Sequence, residues 1–163
     1  MDEGLSIVKG TRDRYDGARR NPWNEVECGS HYARALASWS VLTALSGYHY
    51  SAPERHMAFA PRLNAQNFQS FFTTASGWGV YKQRVEKPAL TASLSTHYGE
   101  VRLRTLRLRN ELGTPSVSIA SATGPDGKPL SGAKVSREGD FLEVGLGEGI
   151  VVPTGRSLAI KIA

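Results

Sequence analysis

From Gln69 onward apolar and polar residues alternate along much of the chain; before Gly47 they do not. Alternation with period two puts successive side chains on opposite faces of a strand, whereas apolar residues three and four apart share one face of a helix. The pattern therefore predicts helices first and strands after. Residues 3–14 carry an i, i+3 pair, Leu5 and Val8, and predict a short helix that Gly10 weakens and Gly17 closes. A loop over 18–29 follows, with Pro22 holding Asn21 extended. A second helix is predicted at about 30–46, with Ser30 as its N-cap and Gly47 as its stop. One face of it reads Tyr32, Ala35, Leu36, Trp39, Leu42, Leu45, and the neighbouring face reads Ala33, Ala37, Val41, Ala44, Tyr48. A helix apolar nearly all round is expected to be buried on all sides. One weak helix and a sheet cannot cover it, so partner helices outside this chain are expected. Left uncovered, such a helix is expected to drive self-association.

Residues 47–67 read as a connection with a short apolar piece at 57–60. Strands are predicted at 69–74 and 78–84 around the turn Ala75-Ser76-Gly77, then at 90–98, a turn at Gly99, and 101–109. The phase of alternation slips at Thr105, which predicts a β-bulge. Further strands are predicted at about 116–121, 133–137, 140–146 and 156–162, with turns at Pro125-Asp126-Gly127, Gly139-Asp140 and Pro153-Thr154-Gly155. Short strands at this spacing predict an antiparallel sheet or a small β-sandwich.

Seventeen glycines and eight prolines in 163 residues agree with a chain rich in strands and turns. The net charge of +5 permits contact with a polyanion. Its most basic feature is the stripe Arg102, Arg104, Arg107, Arg109. No aromatic ladder is interleaved with it, and it reads as a solvated, charge-protected sheet face, with no nucleic-acid partner expected. Cys28 is the single cysteine, which excludes an internal disulfide and a cysteine zinc cluster, and no metal or cofactor is expected. Gly145-Leu146-Gly147-Glu148-Gly149 reads as a turn between strands, not a phosphate loop. The N-terminal residues have no apolar h-region, and the run 33–45 is too short and too polar to span a bilayer. No transmembrane segment is expected, and a cytoplasmic protein is.

Candidate chemistry gathers where the loop meets the second helix. A carboxylate such as Glu25 can accept hydrogen bonds from two neighbouring hydroxyls, and Arg34 can donate to a hydroxyl. His31 and Arg34 are three apart and share a helix face, and side chains leaning toward the helix N-terminus would point back at the loop. Trp23 could stack on an apolar sugar face. Plainer roles stand beside these. Glu25 and Arg34 could equally be an ion pair tying loop to helix, Glu27 a cap on backbone N–H groups, His31 a structural histidine, Trp23 packing and Cys28 an inert thiol. Glu25 and Glu27 sit on one short loop, so they are not the facing pair of carboxylates that glycoside hydrolysis needs.

The run DRYDGARRNPWNEVECGSHYARALASW, residues 13–39, resembles the end of the catalytic barrel of glycoside hydrolase family 116, a family of β-glucosidases and glucosylceramidases. FFTTASGWGVYKQ, residues 71–83, is similar to the tryptophan-glycine segment that follows it, and together the resemblance spans about 5–108. It implies an α+β chain: the terminal helices of an (α/α)6 barrel over 1–67, a barrel-associated β segment over 68–113 and a β extension over 114–163. It implies a retaining mechanism on β-glucoside substrates, with Glu25 and Arg34 holding the glucose hydroxyls remote from the anomeric carbon and His31 and Trp23 beside them. The family's nucleophile and general acid lie in upstream motifs that this sequence does not contain. No catalytic residue is therefore expected here, and the chain is expected to be a C-terminal fragment that needs the N-terminal part of the barrel. A free-standing sugar-binding or structural β module is the alternative.

Overall fold

The computed structural model describes residues 1–14, 18 and 33–163, with the side chains of 33–38 outside that description. Two helices and nine strands lie among them, in two compact units, Met1–Leu42 and Thr43–Ala163. The segment boundaries expected after residues 67 and 113 both fall inside the second unit.

Helix α1 is Asp2–Arg12, with Asp2 and Glu3 in its first turn and Lys9 and Arg12 in its last. Those charges oppose the helix dipole at both ends. The helix closes on Asp13, in a right-handed conformation, whose amide bonds the Lys9 carbonyl. Gly17, the expected cap, lies outside the described residues. No residue of α1 is buried. Helix α2, Ala33–Ser46, ends where the sequence predicts, at Gly47 with φ +60. Trp39 is 57% exposed and Ala44 exposed, Val41, Leu42 and Leu45 are half-buried, and Ser46 is buried.

The second unit is built on one strand. After β1 (His49–Ser51), β2 (His56–Phe59), β3 (Asn67–Thr73) and β4 (Gly77–Glu86), strand β5 runs without a break from Ala89 to Arg109. Four more follow: β6 (Ile119–Thr123), β7 (Lys134–Glu138), β8 (Phe141–Pro153) and β9 (Ser157–Ile162). The first half of β5 pairs with β4 and β9, which pair in turn with β3 and β6. Its second half pairs with β2 and β8, which pair with β1 and β7. Two sheets thus share β5. Gly99, at φ +69, lies where the strand changes partners, so the expected turn there is a bend within one strand.

Alternate residues of both sheets point inward to one core. Phe59 of β2 and Tyr81 of β4 stack face to face, centroids 3.8 Å apart, and Phe72, Leu94, Leu106, Leu142 and Ile160 close around them. Burying a side chain of this size stabilises by about 1.5–3 kcal/mol. The slip predicted at Thr105 is real: the register with β8 shifts between Leu103 and Thr105. The Arg55 carbonyl accepts both the Arg104 amide, at 2.6 Å, and the Thr105 amide, at 3.3 Å. Opposite that point β8 carries the extra residues 146–149, so the glycine-rich segment is a bulge inside a strand rather than a turn between two.

Two expectations are corrected. The terminal helices of an (α/α)6 barrel are not the architecture: the described residues are mostly strand, in nine strands against two helices. The period-two alternation that dominates the sequence beyond Gly47 satisfies its backbone groups in ladders between strands, not in helix pairs. The sheets are also not purely antiparallel, because β2 runs parallel to β5. Residues 47–67, read as a connection, supply β1 and β2. The apolar piece 57–60 is the inward edge of β2, with Met57 and Phe59 fully buried.

Candidate functional site

Of the residues singled out from the sequence, Trp23, Glu25 and His31 lie outside the described residues, as do Glu27 and Cys28. Arg34 is the second residue of α2, and its side chain is outside the description. The arginine stripe falls on the outward positions of β5, as alternation predicts. Arg102 Nε lies 2.7 Å from Glu100, Arg107 3.7 Å from Glu138 and Arg109 3.6 Å from Glu111. Three of the four guanidiniums therefore have a carboxylate close by, which weakens the face as a phosphate-binding track. Exposed pairs of this kind contribute at most about 1 kcal/mol each to stability.

The same outward face holds a hollow lined by charged and imidazole side chains. It is an open depression of about 540 Å³, and Gly47, His49, Glu54, His56, Arg107 and Phe141 are among the residues lining it. The strand register explains the assembly. His56 pairs with Thr105 across the parallel β2–β5 ladder, and Arg107 pairs with Glu143 across β5–β8. His56 Nδ1 is 2.7 Å from Thr105 Oγ1 and 3.5 Å from Glu143 Oε1. Arg107 sits over the Phe141 ring, 4.4 Å from its centroid, and His49 and His56 have ring centroids 6.1 Å apart. Glu143 Oε2 is buried without a hydrogen-bond partner. The arrangement can hold a small polar molecule.

No family model, curated protein or solved structure matches this chain. Its chemistry must therefore be argued from the residues. Among the described residues, no group of three or more His, Cys, Asp or Glu is placed to hold a metal ion, and no helix is long and apolar enough to cross a membrane. Sequence reasoning missed His49, His56, Thr105 and Glu143. They come from four strands and meet through the parallel β2–β5 ladder and the antiparallel β1–β2 and β5–β8 ladders, which local pattern does not announce. The one available signal was the slip at Thr105, which turns that hydroxyl outward beside the arginines.

Proposed function

We propose that this chain supplies the glucose-holding part of a retaining β-glucosidase of the family 116 kind, with the catalytic nucleophile and general acid carried by other parts of the enzyme. The observation that carries the reading is the run from Asn24-Glu25 to Arg34. A carboxylate that accepts two hydroxyl protons and a guanidinium that donates are what binding the far side of a pyranose needs. Arg34 is the second residue of α2. The exposed Trp39 supports a helix meant for neighbours.

The partner is then a β-glucoside whose glucosyl hydroxyls bond Glu25 and Arg34, with His31 and Trp23 at its edge. Charge-assisted bonds of this sort are worth about 1.5–3 kcal/mol each, and binding energy collected far from the anomeric carbon can be expressed in the transition state. In the enzyme containing this chain, Arg34→Ala is expected to lower kcat/KM on a β-glucoside by about 10- to 150-fold while leaving Tm nearly unchanged. An unchanged rate with a lowered Tm would reassign Arg34 to a structural ion pair with Glu25. The self-contained core of the sandwich favours a second reading, a sugar-binding or structural module without catalysis. Under it Arg34→Ala leaves the rate untouched and Tm nearly so.

A further inference from the structure

A second site lies on the outer face of the other sheet, where Trp78, His97 and Tyr98 are gathered by a bulge in the strand register. Trp78 of β4 pairs with Tyr98 of β5, and Gly79 pairs with Thr96, so His97 and Tyr98 both fall opposite Trp78. Two consecutive side chains of β5 are consequently exposed, where the strand otherwise exposes alternate ones. The Trp78 and His97 rings stack, centroids 5.5 Å apart and 17° from parallel. Trp78 is 45% exposed and Tyr98 68%.

The backbone here leaves no room for side chains at three glycines. A Cβ at Gly77 would lie 2.5 Å from the Tyr98 carbonyl oxygen, and one at Gly99 2.0 Å from that of Ser76. One at Gly79 would lie 1.9 Å from that of Ser95. The segment Gly77-Trp78-Gly79 is thus drawn tightly against β5 in a form that keeps large rings in water. Hydroxyls lie beside them. Thr73 lies opposite Trp78 on β3, and the Ser95 and Ser157 hydroxyls bond each other at 2.7 Å. The next outward charge along β4 is Lys82, beyond Val80. Along β5 the next are Glu100 and Arg102, which pair with each other at 2.7 Å. A neutral ligand finds aromatic faces beside hydroxyls.

From this geometry we infer that Trp78, His97 and Tyr98 form a stacking platform for the pyranose rings of a neutral glucan. A hexose with equatorial hydroxyls presents axial C–H groups on its faces, which cover an aromatic ring. Its hydroxyls then reach the Tyr98 phenol, the free nitrogen of His97 and the Thr73 hydroxyl. The platform uses none of Trp23, Glu25, His31 and Arg34, so it goes beyond the glucose-holding role proposed above.

Affinity electrophoresis of the full chain through gels containing soluble β-glucan or heparin tests it. The wild-type chain is expected to be retarded by β-glucan. Trp78→Ala and Tyr98→Ala, each with native circular dichroism, are expected to weaken that retention at least tenfold. No retardation of the wild type by β-glucan would overturn the platform, as would retention that survives both ring substitutions. Stronger, salt-sensitive retention on heparin would overturn the neutral-ligand assignment. Retention removed by Arg34→Ala and kept by Trp78→Ala would overturn the platform and leave the glucose-holding reading standing.

Discussion

Gly79 tolerates no side chain. A methyl group there would meet the Ser95 carbonyl at 1.9 Å and the Phe72 ring at 2.9 Å, and both belong to well-packed strands. Overpacking of this kind costs about 1–3 kcal/mol, and backbone that cannot move makes the upper end apply. Gly79→Ala is expected to lower the unfolding free energy measured in urea by that amount, whereas Gly145→Ala lacks the clash, because nothing lies within 4 Å of its Cβ position. An equal loss at both sites would mean that contact at Gly79 does not set the cost. The need for glycine at 79 was not legible in the sequence, because the obstructing carbonyl belongs to another strand. The stop at Gly47 was legible, since ending a helix in the left-handed region is a local event. Glu25 and Arg34 were legible as chemical types. The meeting of His56, Thr105 and Glu143 was not.

At the scale of elements, β5 and α2 show opposite relations between pattern and structure. The alternation of β5 was plain on both sides of Gly99, and so was the slip at Thr105. That one strand serves two sheets was not plain, because a bend and a turn carry the same glycine. In α2 the apolar residues cover most of the circumference, yet Trp39 remains 57% exposed. A large apolar side chain left in water on a helix of this composition favours association. Trp39→Gln is therefore expected to shift the isolated chain toward monomer in analytical ultracentrifugation, with the sandwich's near-ultraviolet signature retained. Identical association of variant and wild type would move the sticky surface away from α2. The barrel expectation failed here as well. It read a buried helix as the end of a helical array, whereas the described residues are mostly strand and hold two helices.

The whole molecule has a predictable response to alkali. Tyr81 is fully buried, its hydroxyl donating to Gln83 Oε1 at 2.8 Å, while Gln83 Nε2 donates to the Ala65 carbonyl at 2.7 Å. Burial pushes the Tyr81 pKa far above its ordinary value of 10.0. Burial, and then the neighbouring Tyr50, pushes that of Tyr48 up as well. A group whose folded pKa is raised lets the unfolded chain release a proton that the folded chain keeps. Stability is therefore complete below pH 10 and falls as pH rises past it, by about 1.4 kcal/mol per pH unit for Tyr81. Tyr48 adds a smaller share because solvent reaches it. Urea midpoints measured from pH 9 to 11 are expected to drop steeply, and Tyr81→Phe to flatten the drop. An equally steep drop in Tyr81→Phe would show that other groups govern it.

The sequence by itself determined what is local: two helices before the strands, the Gly47 stop, the hairpin around Ser76, the slip at Thr105 and most of the later strands. Each depends on side-chain period or on one glycine, and neighbours along the chain suffice to express it. Tertiary structure alone decided which strands pair, that β2 runs parallel to β5, that β5 belongs to both sheets, and which polar and aromatic groups meet on the outer faces. Any two strands can offer each other the same backbone hydrogen bonds. The choice among partners falls to the packing of Phe59, Phe72, Tyr81 and their neighbours in one core, and that packing joins residues too distant in sequence for a local pattern to reveal.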